Sequence, residues 1–370
     1  MPDQKCALRI DDILEKALCG RALRADEIVN LLSLNDRDNI NRVFRTARFL
    51  REENFGNTVF LYGFLYFSTF CRNNCRFCGS RISNPWARRY RKSEEESIEA
   101  ACRLAESGVH LIDLTMGEDP LFYCSDSGFT PLLELISKIK SRTNLPLMIS
   151  PGVVPLEVLA EFAQLGVEWY ACYQETHNRR LFAKLRPEQD YDTRLYTKAM
   201  AKRKGMMIEE GIMTGVGESL PDIAHSINEM RDLDVHQARV MSFVPQRGTP
   251  MARRTSPPRL RELLTIAVLR LLFPDRLIPA SLDVDGLDYV QERLEAGANV
   301  ITSLIPPHLG LSGVSQSFLG IDEGFRTVKG VAPVLEKASL AAARPQDYRQ
   351  WIDRQRPAKI DRTEYCEVLA

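Results

Sequence analysis

Residues 59–81 read VFLYGFLYFSTFCRNNCRFCGSR. An apolar, aromatic run leads into three cysteines, Cys71, Cys75 and Cys78, spaced C-x3-C-x2-C with Phe77 directly before the third. From Val59 onward the same alternation repeats: a short run rich in Val, Ile, Leu and Tyr, then an amphipathic segment. Seven further runs follow: HLIDLTMG, LPLMISPG, EWYACYQE, MMIEEGIMTG, ARVMSFVP, LIPASLDVDG and NVITSLIPP. The segments between them carry helix punctuation. Ser93 and Glu96 make a capping box ahead of an apolar stripe at Ile98, Ala101, Cys102 and Ala105, and Gly108 stops it. PLEVLAEFAQLG opens on Pro155, suited to a first helical turn, and ends at Gly166. Strand, helix, strand, repeated, makes a parallel sheet with right-handed crossovers. Eight such units over roughly 250 residues predict an α/β chain folded as a closed (β/α)8 TIM-type barrel.

The flanks read differently. DDILEKALCG, RADEIVNLLSL and DRDNINRVFRTARFLREENFG carry apolar residues at helical spacing, with Asn35 and Asp36 offering an N-cap for the third. The last 60 or so residues return to helix, including FRTVKGVAPVLEKA. The expected division is an N-terminal helical extension over 1–57, the barrel over 58–310 and a C-terminal helical tail over 311–370.

Composition excludes several functions. The 370 residues hold 49 basic and 49 acidic side chains, which argues against a nucleic-acid partner. No segment reaches about 18 uncharged apolar residues, so no membrane span is expected. Nine cysteines at scattered positions, with no export signal, read as reduced thiols in a cytoplasmic chain.

Barrel enzymes keep their chemistry at the C-terminal ends of the strands, where Cys71, Cys75 and Cys78 would lie. Three thiolates suit a soft metal. Structural zinc takes four protein ligands, and no other Cys or His lies within 20 residues. A [4Fe–4S] cluster held by three thiolates leaves one iron open to a ligand. This spacing, with its aromatic residue, resembles the signature of the radical S-adenosylmethionine (SAM) superfamily. The resemblance implies that the open iron chelates the amino and carboxylate groups of SAM. An external one-electron donor such as flavodoxin or ferredoxin would reduce the cluster, and cleavage of SAM would then give a 5′-deoxyadenosyl radical.

It also implies cofactor contacts. Phe77 sits in the cluster motif, and Met116, Gly117 and Glu118 match a segment that meets the methionyl ammonium. Ser150, Glu175 and Arg194 fall where related enzymes touch SAM, the arginine through a charge-assisted contact to its carboxylate.

Four polar residues occupy strand positions where a barrel interior is ordinarily apolar: Asp113, Arg239, Ser281 and Asp283. Buried charges need partners or a ligand. An internal bridge would satisfy them, but an Arg fork with two carboxylates and a hydroxyl also suits a zwitterionic amino acid. The ordered segments LIDLTMGEDP, YQET, GIMTGVG, RVMSFVPQRGTP and FPDRLIPASLDVDG resemble the methylornithine synthase family. That implies isomerisation of L-lysine to (3R)-3-methyl-D-ornithine, the first step of pyrrolysine biosynthesis, with those four residues binding substrate. One departure is local: GSRISNPWAR precedes Arg89-Tyr90-Arg91 in place of the family's tyrosine pair. The alternatives are a related radical enzyme of the biotin synthase and hydrogenase-maturase branch acting on another amino acid, and a non-catalytic metal-binding amino-acid sensor.

Overall fold

A computed structural model describes residues 9–306 and 325–358; the expected barrel boundary at 310 and much of the tail lie outside the described residues. Three helices come first, α1 (Ile10–Leu18), α2 (Ala25–Leu32) and α3 (Arg37–Phe55). Of the two candidate caps for α3, Asp36 serves, accepting the Asn39 N–H at 2.9 Å.

The barrel begins with β1 (Thr58–Ser68), α4 (Glu94–Ser107), β2 (Leu111–Met116), α5 (Pro120–Tyr123), α6 (Thr130–Thr143) and β3 (Leu147–Ser150). It continues through α7 (Leu156–Gln164), β4 (Trp169–Ala171), α8 (Arg179–Leu185), α9 (Tyr191–Arg203) and β5 (Met207–Thr214). Then come α10 (Leu220–Asp232), β6 (Gln237–Ser242), α11 (Arg259–Leu272), β7 (Pro279–Ser281), α12 (Val290–Glu295) and β8 (Val300–Leu304). The described residues end in α13 (Val328–Lys337), the short β9 (Ala341–Ala342) and α14 (Pro345–Gln355). Each of the eight sequence runs becomes a strand, in the order β6-β5-β4-β3-β2-β1-β8-β7, every pairing parallel. The ring closes between β6 and β7 through a single bridge, Gln237 to Leu277.

Strand alternation divides the side chains into two sets. Leu61, Leu65, Ile112, Leu114, Ile149 and Ile208 face the helices, and Gly63 lets α4 approach, since a methyl there would meet Leu104 Cδ2 at 2.9 Å. Phe60, Tyr62, Leu111, Met148, Trp169 and Met207 fill the lower barrel together with Tyr348, Trp351 and Ile352 of α14. Helix α14 therefore plugs the barrel's N-terminal mouth. β9 adds to β1 through Thr58–Ala341 and Val59–Ala342, Trp351 stacks on Trp169 at 5.9 Å, and the Tyr62 and Tyr348 hydroxyls share a 2.7 Å hydrogen bond. Sequence periodicity announces this helix but not its destination. Trp351→Ala is expected to cost about 3–5 kcal/mol, the usual range for emptying a core aromatic site. Urea denaturation measures it, and a loss below about 1 kcal/mol would make α14 an ornament on the barrel.

Candidate active site

Above the aromatic plug a cavity of ≈ 220 Å³ opens at the C-terminal ends of the strands, bordered by Cys71, Cys75, Cys78, Asp113, Glu118, Glu175, Arg194, Arg239 and Asp283. The cysteine loop at its mouth is tied down from several sides. The Arg72 N–H donates to the Glu118 carbonyl and the Arg76 N–H to the Leu185 carbonyl, both at 2.8 Å. Arg89 donates to three carbonyls, those of Thr69, Ser80 and Arg81, at 2.6–2.7 Å. Arg91 grips the buried Asp119 with two 2.8 Å bonds, and the Tyr90 hydroxyl donates to Tyr66 O at 2.7 Å. The Arg-Tyr-Arg triplet thus staples the loop, and the departing segment before it is held both by Arg89 and by Asn84, which donates to Gly79 O and Arg247 O.

The cysteine sulfurs have mixed surroundings. Cys75 Sγ accepts from Gln189 Nε2 at 3.0 Å and Arg186 Nη1 at 3.5 Å, and Cys71 Sγ accepts from the Asn73 N–H at 3.4 Å. Burial first, and the neighbouring cysteines second, push the Cys78 thiol up to about 12. Three thiolates side by side therefore require a cationic core to hold them deprotonated. Three thiolates with a fourth position left open suit an iron–sulfur core. Gly117 keeps the approach clear: a methyl there would strike the Phe70 carbonyl and sit 2.9 Å from Cys71 Cβ. Phe77 is buried beside Leu185, Val216 and Phe243, under the Arg186 guanidinium.

The expected cofactor contacts gather on the β2–β5 side. Glu118 accepts from Arg72 Nε at 3.0 Å and the Val153 N–H at 3.2 Å, and Arg194 Nη1 lies 3.6 Å from it. Arg194 Nε donates to Tyr173 O at 2.7 Å, which fixes the guanidinium at the cavity wall. Glu175 adopts a left-handed backbone, φ 66°, uncommon for a residue with a side chain. Its Oε1 accepts from Arg186 at 2.7 Å while its Oε2 is buried with no partner. An orphaned buried acceptor on a cavity wall fits a ligand hydroxyl or ammonium. The strain is braced from behind: the Gln174 N–H donates 2.8 Å to Glu210, which is paired with Lys198, both wholly buried. Met116 and Gly117 border the cavity as expected. Ser150 borders the cavity too, its hydroxyl donating to Asp113 at 3.0 Å.

One layer deeper lie the expected substrate residues. Asp113 accepts from Thr115 at 2.8 Å and from Ser150, and burial, reinforced by Glu209, pushes its carboxyl up to about 7. Arg239 does not face two aspartates with its charge otherwise unmatched. Its Nε donates to Glu209 Oε1 at 2.6 Å and its Nη1 to Thr302 at 3.1 Å, and Glu209 also accepts from Tyr173 and Gln237. Asp283 lies two residues beyond the end of β7 rather than inside it, accepting from Ser303 at 2.8 Å and Arg326 at 3.3 Å. Ser281 is not on the cavity wall; it supports Asp283, whose N–H donates to the Ser281 hydroxyl at 3.3 Å. The sequence reading omits Glu209, Tyr173, Arg186, Gln189 and Arg326. Glu209 shows in the sequence only as half of an adjacent pair, Glu209-Glu210, in the apolar run MMIEEGIMTG. Arg186 and Gln189 sit in a polar loop, and nothing in their spacing marks them.

A nearly closed parallel barrel with three thiols on the loop after its first strand is the arrangement of a radical SAM enzyme, and the Radical SAM superfamily profile matches residues 65–230. Members of that superfamily use a [4Fe–4S] cluster and SAM. The chain is 40% identical to a 3-methylornithine synthase of Methanosarcina barkeri over 93% of its own length and 98% of that protein. It is 30% identical to the [FeFe] hydrogenase maturase subunit HydE of Thermotoga maritima over 78% of its length and 82% of that protein. The crystal structure of methylornithine synthase (PylB) superposes with a TM-score of 0.87 at 39% identity, covering 92% of this chain and 99% of that one. The chain belongs to the methylornithine synthase family of radical SAM enzymes. No helix among the described residues is long and apolar enough to cross a membrane.

Proposed function

We propose that this enzyme isomerises L-lysine to (3R)-3-methyl-D-ornithine, the opening reaction of pyrrolysine biosynthesis, drawing its electron from an external donor such as flavodoxin or ferredoxin. The observation that carries the substrate is the charge of the inner layer. Among the described residues, and with Asp113 ionised, the inner layer holds three carboxylates (Asp113, Glu209, Asp283) against two guanidiniums (Arg239, Arg326), an excess of one carboxylate. A diamino monocarboxylic acid carries the complementary single positive charge, whereas a monoamino acid carries none.

Cys71, Cys75 and Cys78 would hold the cluster, and Glu118, Glu175 and Arg194 are placed for the polar ends of SAM. When bound, these groups supply reductive radical chemistry that abstracts a hydrogen atom from substrate carbon. The chain's own residues orient and confine. Arg239, fixed by Glu209, presents its fork to the α-carboxylate. Asp113 and Asp283 accept the ammonium groups. Phe64 and Tyr66, stacked at 5.8 Å, line the same wall, and the aromatic plug below excludes water, which keeps fragments of a rearranging skeleton together.

The test is anaerobic incubation of reconstituted protein with SAM, dithionite and lysine. Expected are 5′-deoxyadenosine and a product of lysine's mass with a methyl doublet by NMR, and neither with decarboxylated lysine, cadaverine. A strong response to another amino acid with none to lysine would overturn the substrate and spare the radical chemistry.

A further inference from the structure

The cysteine loop carries a charge pattern that the active site does not use. From Cys71 to Lys92 it holds seven cations (Arg72, Arg76, Arg81, Arg88, Arg89, Arg91, Lys92) and no carboxylate. The β6–α11 loop, 243–258, adds Arg247, Arg253 and Arg254, again with no carboxylate. The whole chain is neutral, so the remainder is acidic by ten charges and the cations are concentrated here. The two loops meet over the cavity: Asn84 Nδ2 donates to Arg247 O at 2.9 Å, and the Arg247 guanidinium lies 3.7 Å over the Trp86 ring. Arg72, Arg81, Arg89, Arg91 and Arg254 are occupied within the fold, whereas Arg76, Arg88 and Arg253 are exposed and make no ion pair among the described residues.

A basic run is ordinarily just a solvated face. This one also exposes two large apolar side chains, Ile82 at 55% and Trp86 at 61%, ringed by arginines. Exposed Trp among Arg is the composition of interface hot spots, and the surrounding charge selects an acidic partner and speeds its encounter. Nucleic acid is the other polyanion such a surface could hold. Arg247, however, covers a face of Trp86 on which a base would stack.

We infer that this face docks an acidic one-electron donor protein, with Arg76, Arg88 and Arg253 steering it and Ile82 and Trp86 anchoring it over the cysteine loop. The inference rests on the radical reading above and supplies the place where reduction occurs. One electron leaves the reduced donor and enters the iron–sulfur group; no bond or proton moves.

Oxidised flavodoxin is the probe, titrated into cluster-loaded protein by flavin fluorescence. Arg76→Glu/Arg88→Glu/Arg253→Glu is expected to weaken binding at least tenfold. Arg88→Glu/Arg253→Glu, which leaves residues 71–78 untouched, should weaken it in the same direction, and the triple Arg→Lys variant should bind as the parent does. Parent binding should weaken with added salt. Dithionite-driven 5′-deoxyadenosine formation and SAM affinity should stay within twofold in Arg88→Glu/Arg253→Glu and in the Arg→Lys variant. Unchanged flavodoxin binding in the Glu variants overturns the inference, as does a transfer RNA that binds this face more tightly and excludes flavodoxin. If the parent makes no 5′-deoxyadenosine with dithionite, the radical reading fails, while the titration still decides the docking.

Discussion

Cys75→Ala protein is expected to purify without the iron and brown colour of the parent and to form no detectable 5′-deoxyadenosine. Among the three thiols, Cys75 is the most buried, and its sulfur receives the two side-chain donors of Gln189 and Arg186. These bonds from a guanidinium and an amide fix the sulfur at the cavity wall. Two remaining thiols cannot replace it, because no other cysteine lies on this loop. The fold should survive, since Cys75 belongs to a small apolar cluster with Phe77, Leu185, Val216, Phe243 and Met251, separate from the main core. Cys102→Ala, on α4 away from the cavity, serves as the control and should keep iron, colour and turnover. Iron and sulfide counts with the absorption spectrum decide it. A Cys75→Ala protein that retained about four irons per chain would place the cluster elsewhere.

The fold and the cofactor end of the site were legible for one physical reason. Buried parallel strands must be apolar, helices between them must carry caps and stops, and both write local patterns; the runs from VFLYGFLYF to NVITSLIPP and the capping box at Ser93 are examples. The cysteine spacing is equally local. What the sequence leaves hidden depends on contacts between distant segments. Trp351 finds Trp169, and the Arg186 guanidinium finds both Cys75 and Glu175, only after the barrel has formed. The partner of Arg239 is the instructive case. Both aspartates were conspicuous as charges in apolar runs, but Glu209 sits beside Glu210, and residue type alone gives no way to choose between them. Alternation settles it: Glu209 turns inward to Arg239, whereas Glu210 turns outward to Lys198 on α9.

Asp113, Glu209 and Arg239 make the sharpest test of the substrate proposal, because their charges can be changed while their shapes are nearly kept. Arg239→Met removes the fork and leaves Glu209 buried without its cation, so it should destabilise the fold by about 3–5 kcal/mol. That loss alone could hide an effect on binding. Arg239→Met/Glu209→Gln removes both charges, and most of the stability should return while the stimulation of 5′-deoxyadenosine formation by lysine stays lost. The pH dependence adds a second readout. Asp113 titrates near 7 in the folded protein against 3.8 in the unfolded chain, raised first by desolvation. The folded state therefore holds the extra proton between those values, and this group's contribution to stability falls as pH rises through that window. An ammonium group needs the ionised carboxylate, so lysine binding must expel the proton below pH 7. Apparent lysine affinity is expected to fall about tenfold per unit as pH drops from about 7 towards 5, and to level off above 7. Asp113→Asn should bind lysine weakly at every pH, with that slope gone. Equilibrium dialysis of labelled lysine against SAM-loaded protein measures both variants. A slope that persists in Asp113→Asn assigns the proton to another group, and parental affinity in Arg239→Met/Glu209→Gln would remove Arg239 from the carboxylate site.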